Sequence, residues 1–411
     1  MFSDISYPAF GAGEAQAIGG AYPLAFWDFE RGRASLPITF ARAGTASAFG
    51  ASGTIENFAA NVPRSVWSSG RRSALFEGAS TNLLPWSVAS STNWSNNAVS
   101  LVNLTGNYLG AFPGVRVAST GGTYNRLNAP CDLIAGSYYV TMWFKLGTSG
   151  KARCSLRSPT GEQSNVIFDG VASTVDHSAA PVGTIDDIRM ISFGDQVWQL
   201  TFRLIANVSV NTLGLGPYSE VVGQDVIALG AQVEGNGPTS YVATAGAAVT
   251  RQADVGQSDV GNLPLSGGFW ILISRFRLQA LAGSYDCIVG LDNLDYQNRN
   301  VVLFGADNGR LSFEQKVLGT STASAARAHT LGSVSTVAVR FAPNNFAVVH
   351  TDLTSQVSSD CGFVMPTRLY FAARSAGSVS KPARMLLGAV SIYPPSISVA
   401  QMTSYLAGLA A

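Results

Sequence analysis

Several segments of the sequence alternate polar with apolar residues, and their polar positions carry side chains that bind sugars. A pyranose offers an apolar C–H face, on which an aromatic ring stacks, and hydroxyl groups that arginine, amide and carboxylate groups hydrogen-bond. Arginine also binds the carboxylate of an acidic sugar through two parallel hydrogen bonds. The predicted carbohydrate-binding residues are Tyr139, Trp143, Lys145, Arg153, Arg157, Gln199, Arg203, Gln232 and Glu234, with Trp94 and Tyr124 in loops.

Catalytic chemistry has weaker support in the sequence. The chain has three histidines, none within a known catalytic motif: His177, His329 and His350. His350 and Asp352 could form a dyad. Two carboxylate pairs have a spacing compatible with glycoside hydrolysis, namely Asp186 with Asp187 and Asp292 with Asp295. Acids in such Gly- and Asn-rich segments usually form turns, so we predict that the protein is not an enzyme.

Metal and thiol chemistry is also sparse. The acids of residues 292–295 could supply oxygen ligands to calcium, although they lack the spacing of a dedicated calcium loop. No cysteine belongs to a C-x-x-C pair or lies at a zinc-ligand spacing from histidine: Cys131, Cys154, Cys287 and Cys361. One disulfide per domain and four buried thiols both remain open. We predict no bound cofactor, and a structural calcium remains open.

The composition excludes several classes of protein. Only 12% of the 411 residues are charged and 46% are hydrophobic, which excludes a disordered chain. The formal net charge of +1 argues against non-specific nucleic-acid binding. We predict no membrane insertion, because no uncharged stretch is both long and apolar enough to span a bilayer. The N-terminus lacks the pattern of a secretory signal peptide.

The alternating segments predict antiparallel strands with one face on a core. We predict an all-β protein with two tandem antiparallel β-sandwich or jelly-roll domains, a strand-rich N-terminal connector and one short C-terminal helix. We predict three stretches. Residues 1–80 comprise an arm (1–20) followed by the connector, and residues 81–250 and 258–411 form the two sandwich domains. Residues 246–257 are expected to act as a linker. The helix is expected near Val399 to Leu406, with Ser396 or Ser398 as its N-cap.

Three stretches resemble parts of bacteriophage fibre proteins. The entry module of those fibres is similar to DFERGRASLPITFARAGTASAFGASGTIENFAANVPR (Asp28 to Arg64) followed by ALFEGASTNLLPWS (Ala74 to Ser87). The closing strand of their carbohydrate-binding jelly roll resembles DVIALGAQVEGNGPTSYVATAGAAVTRQAD (Asp225 to Asp254). Laminin-G or concanavalin-A-like lectin domains resemble TVAVRFAPNNFAVVHTD (Thr336 to Asp352) and LLGAVSIYPPSISVAQMTSYLA (Leu386 to Ala407).

The resemblance implies a receptor-binding spike or tail fibre on the surface of a phage-like particle, either a phage or a gene transfer agent with a head spike. Such an adhesin would bind host capsular polysaccharide without catalysis. It would be made in the bacterial cytoplasm and released by lysis. Its expected partners are cell-surface polysaccharide, through 81–250 and 258–411, and capsid or tail proteins, through 1–80. We expect a homo-oligomer, and related lectins often carry calcium. The alternatives are a polysaccharide depolymerase on the same scaffold and a purely structural fibre subunit.

Overall fold

The computed structural model describes residues 17–68, 71–177, 181–280, 285–293, 298–305, 310–318, 320–350, 355–358, 361–373 and 384–410. The chain forms two compact units. The central unit comprises Ala46–Asn57 and Ser80–Arg251, and the C-terminal unit comprises the described residues of Met1–Thr45, Phe58–Ala79 and Gln252–Ala411. The chain leaves one unit for the other after residues 79 and 251, close to two of the predicted boundaries. The assignment of separate roles to 1–80, 81–250 and 258–411 stays a prediction.

The predicted all-β fold is confirmed. The first strands are β1 (Ala25–Asp28), β2 (Arg33–Ala34), β3 (Thr39–Ala41), β4 (Ala46–Phe49), β5 (Ile55–Phe58), β6 (Arg64–Ser68), β7 (Arg71–Phe76) and β8 (Ser80–Asn82). The next are β9 (Ser95–Asn97), β10 (Val99–Asn103), β11 (Val115–Ser119), β12 (Arg126–Leu133), β13 (Gly136–Leu146), β14 (Lys151–Arg157), β15 (Gln163–Asp169), β16 (Thr174–His177), β17 (Gly183–Ser192), β18 (Val197–Ala206), β19 (Val210–Pro217), β20 (Asp225–Glu234) and β21 (Val249–Arg251). The last are β22 (Val255–Asp259), β23 (Phe269–Ala280), β24 (Tyr285–Asp292), β25 (Arg299–Gly305), β26 (Arg310–Val317), β27 (Thr320–Ala328), β28 (Ser335–Phe341), β29 (Phe346–His350), β30 (Ser355–Ser358), β31 (Arg368–Phe371), β32 (Arg384–Leu387) and β33 (Ala389–Tyr393), followed by helix α1 (Val399–Ala410).

The central unit contains two antiparallel six-stranded sheets. The back sheet has the order β10-β11-β20-β13-β18-β17, and the front sheet has the order β16-β15-β14-β19-β12-β9. Alternate residues point inward, so Val140, Met142 and Phe144 of β13 share one core with Leu213 and Leu215 of β19. The intervening residues of both sheets point away from this core, which places the polar positions of β13 and β14 on opposite outer faces.

The C-terminal unit also has two sheets around one core. One sheet has the main order β2-β1-β33-β23-β28-β29-β30, with β32 pairing β23 and β7, and with β6 pairing β7. The other has the order β27-β26-β25-β24-β31-β22-β3. The segment predicted as a linker, 246–257, instead contributes to strands, since β21 pairs β8 and β22 pairs β3 and β31. Residues 246–257 therefore contribute strands to two sheets and do not form a separate linker.

The predicted C-terminal helix is confirmed as α1. Its N-cap is Ser398, whose Oγ accepts a hydrogen bond from the amide of Gln401 at 3.2 Å. Gln401 Oε1 accepts the Ser398 amide in return at 2.8 Å, which completes a capping box. Met402 and Leu406 face a small cluster that includes Ile18. Ile18 belongs to the segment predicted as an arm, but it is 2% exposed; residues 1–16 lie outside the described part of the chain.

A fully buried ionic cluster ties three distant segments of the C-terminal unit together. Asp254 accepts hydrogen bonds from Arg42 at 2.9 Å, from Arg64, and from the amide of Glu77 at 2.9 Å. The Glu77 carboxylate also accepts Arg64 at 2.7 Å, and all four side chains are 0% exposed. Burial alone would lower the pKa of Arg64, but Glu77 and Asp254 outweigh it and hold that pKa above its usual value. These four residues belong to the motifs that resemble phage fibres, so in this chain those motifs build the scaffold.

Candidate functional site

The predicted binding residues divide between two sheets that face opposite ways. The back sheet carries seven of them: Tyr139, Trp143, Lys145, Gln199, Arg203, Gln232 and Glu234. The front sheet carries Arg153 and Arg157 on β14. Of the two loop residues, Tyr124 lies beside Arg153, whereas Trp94 is 1% exposed and donates its indole N–H to the carbonyl of Trp86 at 3.1 Å. These residues therefore form no single surface, because β13 and β14 belong to different sheets.

Trp143 is not the exposed stacking platform that the alternation predicted. Its ring is 1% exposed and lies stacked on Phe112, with the ring centroids 5.5 Å apart. Tyr241 meets the same ring edge-on at 5.4 Å, and the indole N–H is satisfied by Gln199 at 3.1 Å. Loop residues cover this part of the back sheet with a second hydrophobic layer that also includes Ile55. No face of the Trp143 ring is left for a sugar.

Gln232 and Glu234 are structural for the same reason. Both are 0% exposed, and Gln232 donates to the Glu234 carboxylate at 2.6 Å. Thr239 donates both its amide and its hydroxyl to Glu234, and Gln232 Oε1 accepts the amide of Val242 at 2.6 Å. These bonds fasten the segment after β20 to the back sheet. Burial raises the pKa of Glu234 even though several donors stabilise its charged form.

The remaining cations of the back sheet are already neutralised. Arg203 makes a two-pronged ion pair with Asp186, with both distances 2.7 Å, and this pair raises the pKa of Arg203. Lys145 lies 2.5 Å from Asp195. Tyr139 is half-buried beside Arg203, and burial raises its pKa. The back sheet therefore presents balanced charge to solvent.

The outer face of the front sheet has the opposite character. We call five of its residues the Arg–Tyr face: Arg126, Arg153 and Arg157 on the strands, with Tyr124 before β12 and Tyr218 directly after β19. The guanidinium carbon of Arg153 lies 5.7 Å from the centre of the Tyr124 ring and 5.2 Å from that of Tyr218. Arg126 lies 5.7 Å from the Tyr124 ring as well. The two rings are 50% and 46% exposed, so each one can still accept a stacking partner.

Neutral oxygens solvate the guanidinium groups of this face. Arg126 donates to the side-chain oxygens of Asn128 at 2.9 Å and Gln163 at 2.7 Å. Arg153 donates to the carbonyl oxygens of Thr123 at 2.8 Å and Pro217 at 3.5 Å. Within the described ranges, no carboxylate lies within ion-pair distance of Arg126, Arg153 or Arg157. The face therefore carries positive charge without a fixed counter-charge.

The pKa directions agree with that geometry. Burial lowers the pKa of Arg126, and the positive charges of Arg157 and Arg153 lower it further. Burial also lowers the pKa of Arg153, which is 4% exposed, while Glu220 makes only a lesser opposing contribution. Like charges held together in a partly desolvated place destabilise one another. An anion bound among them would relieve that repulsion.

Two glycines on β19 make the floor of the Arg–Tyr face. Gly214 and Gly216 occupy outward positions between β12 and β14. A Cβ at Gly214 would lie 2.5 Å from Arg126 Cδ and 3.0 Å from Asn128 Oδ1. The absence of a side chain lets Arg126 cross β19 toward Gln163 on β15. Sequence reasoning missed Arg126 and Tyr218, although the alternation Arg126-Leu-Asn128 beside Gly214-Leu-Gly216 was a usable signal.

The C-terminal unit offers a second concavity of ≈ 490 Å³, lined in part by Asp28, Glu30, Arg275, Tyr393 and Tyr405. Burial, followed by the charge of Asp28, raises the pKa of Glu30. Each carboxylate already has a cation, since Asp28 pairs with an arginine at 2.7 Å and Glu30 pairs with Arg275 at 2.5 Å. We therefore place the candidate site on the Arg–Tyr face, where the charges are unbalanced.

Metal, thiol and membrane chemistry can be judged only for the described residues. Among them, no group of three or more His, Cys, Asp or Glu side chains could hold a metal ion. The predicted calcium turn lies partly outside them, because Asp295 is not described, and the same holds for Asp352 of the proposed dyad. The four cysteines are reduced and buried. Of the described helices, none has both the length and the apolarity needed to cross a membrane.

Comparisons with known proteins give distant likenesses only. No protein-family model and no curated protein sequence matches the chain. Among solved structures, mouse laminin α1 domains LG4–5 are 11% identical, with 66% of this chain and 85% of that chain covered and a TM-score of 0.22. A mutant Trypanosoma rangeli sialidase is 8% identical, with 100% and 97% covered and a TM-score of 0.28. A GH43 protein mutant from Bacillus licheniformis is 8% identical, with 91% and 99% covered and a TM-score of 0.23.

These likenesses change one prediction and leave another at a coarser level. The glycoside hydrolases among them contradict our prediction that the protein is not an enzyme, and we withdraw it. Since these TM-scores are below 0.5, they assign no catalytic fold or reaction to this chain. The laminin domains are consistent with the expected laminin-G-like fold only in that both are all-β, and the strands of this chain establish that class by themselves. Nothing in the comparisons shows a phage or gene transfer agent origin.

Proposed function

We propose that this protein binds a cell-surface polysaccharide through the Arg–Tyr face of its central unit. The observation that carries the proposal is the convergence of Arg126 and Arg153 on two half-exposed tyrosine rings. Rings that are open to solvent on one side can stack on the C–H face of a pyranose. Arginine and amide donors around them can hydrogen-bond sugar hydroxyls and ring substituents. Gly214 leaves room for the Arg126 side chain to lie across the face.

We also propose that this binding attaches a phage-like particle to its host. Support for this step comes from the sequence motifs that resemble phage and gene transfer agent fibres. Weak affinity at a single site would suit that role, because many copies on one particle would convert it into strong attachment. In that setting the protein would be displayed on the particle surface as an oligomer, with capsid or tail proteins as further partners.

The test is a screen of the purified protein against bacterial surface polysaccharides, together with encapsulated cells and matched capsule-deficient cells. We expect binding that is lost with the capsule and weakened about threefold to tenfold by Tyr218→Ala, because one stacking ring is removed. Tyr22→Ala is the matched control, since Tyr22 is 53% exposed but lies in the C-terminal unit. Equal losses in the two variants, or no binding to any polysaccharide, would refute the proposal. Polymer length before and after incubation reports any cleavage.

A further inference from the structure

The charge of the Arg–Tyr face identifies the class of sugar that it fits. Resting on the proposed function, we infer that the ligand is an acidic polysaccharide whose carboxylate or sulfate groups bind among Arg126, Arg153 and Arg157. A neutral glycan would leave three clustered guanidinium groups without a counter-charge. An anionic group would give the exposed Arg157 a charge-assisted hydrogen bond, through two parallel bonds where the geometry allows, and would supply a counter-charge beside Arg126 and Arg153, which are 3% and 4% exposed.

The back sheet of the same unit provides the internal comparison. There Arg203 pairs with Asp186 at 2.7 Å, Arg189 pairs with Asp187 at 2.7 Å, and Arg116 pairs with Asp225. Even on the front sheet, Lys151 at the far end of β14 has Asp169 at 2.7 Å. Among the described residues, the central unit thus supplies carboxylates to Arg116, Lys145, Lys151, Arg189 and Arg203, but not to the three arginines of the Arg–Tyr face.

The positions of the three arginines indicate separate tasks. Arg153 is buried between the two rings and is held by backbone carbonyl oxygens, so its charge is fixed in place before any ligand arrives. Arg126 lies over the glycine floor and is held by amide oxygens. Arg157 at the end of β14 is exposed. Charges that are fixed in place select an anion with little reorganisation, and the exposed Arg157 can contact it directly.

The experiment compares native and charge-stripped forms of the same polymers. Alginate, polygalacturonate and heparin are tested beside carboxyl-reduced polygalacturonate, desulfated heparin and dextran, by calorimetry at 50 and 300 mM salt. We expect at least one acidic polymer to bind about tenfold or more tightly than its neutral form, with affinity falling at high salt. Loss of binding after carboxyl reduction identifies a carboxylate as the bound group, and loss of binding after desulfation identifies a sulfate. Equal affinity for native and stripped polymers would overturn the inference while leaving glycan binding intact, whereas no binding to any polysaccharide would overturn the proposed function itself.

Charge-matched variants test the site. Arg157→Gln should lower affinity for the acidic polymer about tenfold and reduce the preference for it over the neutral form. Arg189→Gln removes the same charge from the opposite sheet and should leave affinity within about twofold. Similar effects of the two variants, or an unchanged preference in Arg157→Gln, would contradict the inference. A 20-base-pair DNA duplex serves as a polyanion without pyranose rings, and binding it as tightly as the acidic glycan would overturn the assignment to sugars.

Discussion

Replacing Asp254 by asparagine should severely destabilise the C-terminal unit. The substitution keeps the shape of the side chain but removes the negative charge that holds Arg42 and Arg64, where both partners are 0% exposed. Glu77 then remains as the one carboxylate of the cluster facing two buried guanidinium groups. Removing one partner of a buried ion pair costs about 3–5 kcal/mol, because the remaining charge stays desolvated. For a unit of this size, each kcal/mol lowers the melting temperature by about 2–4 °C, so a fall of about 6–20 °C is expected.

Asp186→Asn is the matched control for that experiment. Asp186 also makes a close pair with an arginine, at 2.7 Å, but both side chains are 39% exposed. Water screens such a pair, and its loss costs at most about 1 kcal/mol. Thermal unfolding followed by calorimetry and circular dichroism should therefore separate the two variants clearly. Falls of similar size in both, or a change below about 2 °C in Asp254→Asn, would refute the argument from burial.

Three further predictions concern binding and stability. Gly214→Ala should weaken polysaccharide binding at least threefold in calorimetry, with a small change in melting temperature. The new Cβ would lie 2.5 Å from Arg126 Cδ and would therefore displace that side chain. Unchanged binding would show that the glycine floor is not part of the site. Trp143→Ala should lower the free energy of unfolding by about 3–5 kcal/mol in denaturant titrations, yet leave the affinity for polysaccharide within twofold at 15 °C. A loss of affinity in the folded variant would show that Trp143 belongs to the binding site. Burial, and to a lesser extent the positive charge of His350, lowers the pKa of His329 to about 4. As the pH falls through about 6.5, this histidine is therefore protonated in the unfolded chain but still neutral in the folded protein. Stability should consequently fall by about 2 kcal/mol between pH 7.5 and pH 5 in the wild type and by less in His329→Gln, and identical pH profiles would contradict that assignment.

Local patterns in the sequence were sufficient to define several of the strands and their faces. The alternation from Ser137 to Lys145 predicted a strand with Tyr138, Val140, Met142 and Phe144 on one face, and the last three do lie in the core. The same pattern could not show what covers the other face. Phe112 and Tyr241, which bury Trp143, lie tens of residues away in the chain, and contacts of that range leave no trace in local periodicity.

Assigning strands to sheets was likewise beyond the sequence. The strand β14 follows β13 directly, but it pairs with β15 and β19 in the opposite sheet. Arg153 therefore lies on the sheet opposite Trp143 and Lys145, beside Tyr124, which the sequence had placed only in a loop. Arg126 was not among the predicted residues. It lies on β12, whose interior contains Pro130, and a proline usually argues against a strand interior.

The resembling motifs carried information on folding rather than on the site. Arg64, Glu77 and Asp254 lie within them and form the buried ionic cluster of the C-terminal unit. Gln232 and Glu234 lie within the jelly-roll motif and fasten the chain after β20. The side chains of an exposed binding face can change without loss of the fold, whereas those of a buried network cannot. A sequence motif of this kind is therefore expected to contain mainly residues that stabilise the fold.

The most direct test of the central claim is hydroxyl-radical footprinting of the protein with and without a saturating polysaccharide from the screen. Tyr124 and Tyr218 are half-exposed on the front sheet, and Tyr139 on the back sheet serves as the internal comparison. The proposed face predicts that bound polysaccharide protects Tyr124 and Tyr218 from oxidation and leaves Tyr139 and Tyr22 unchanged. Protection of Tyr139 with continued oxidation of Tyr124 and Tyr218 would place the sugar on the back sheet and contradict the proposed site.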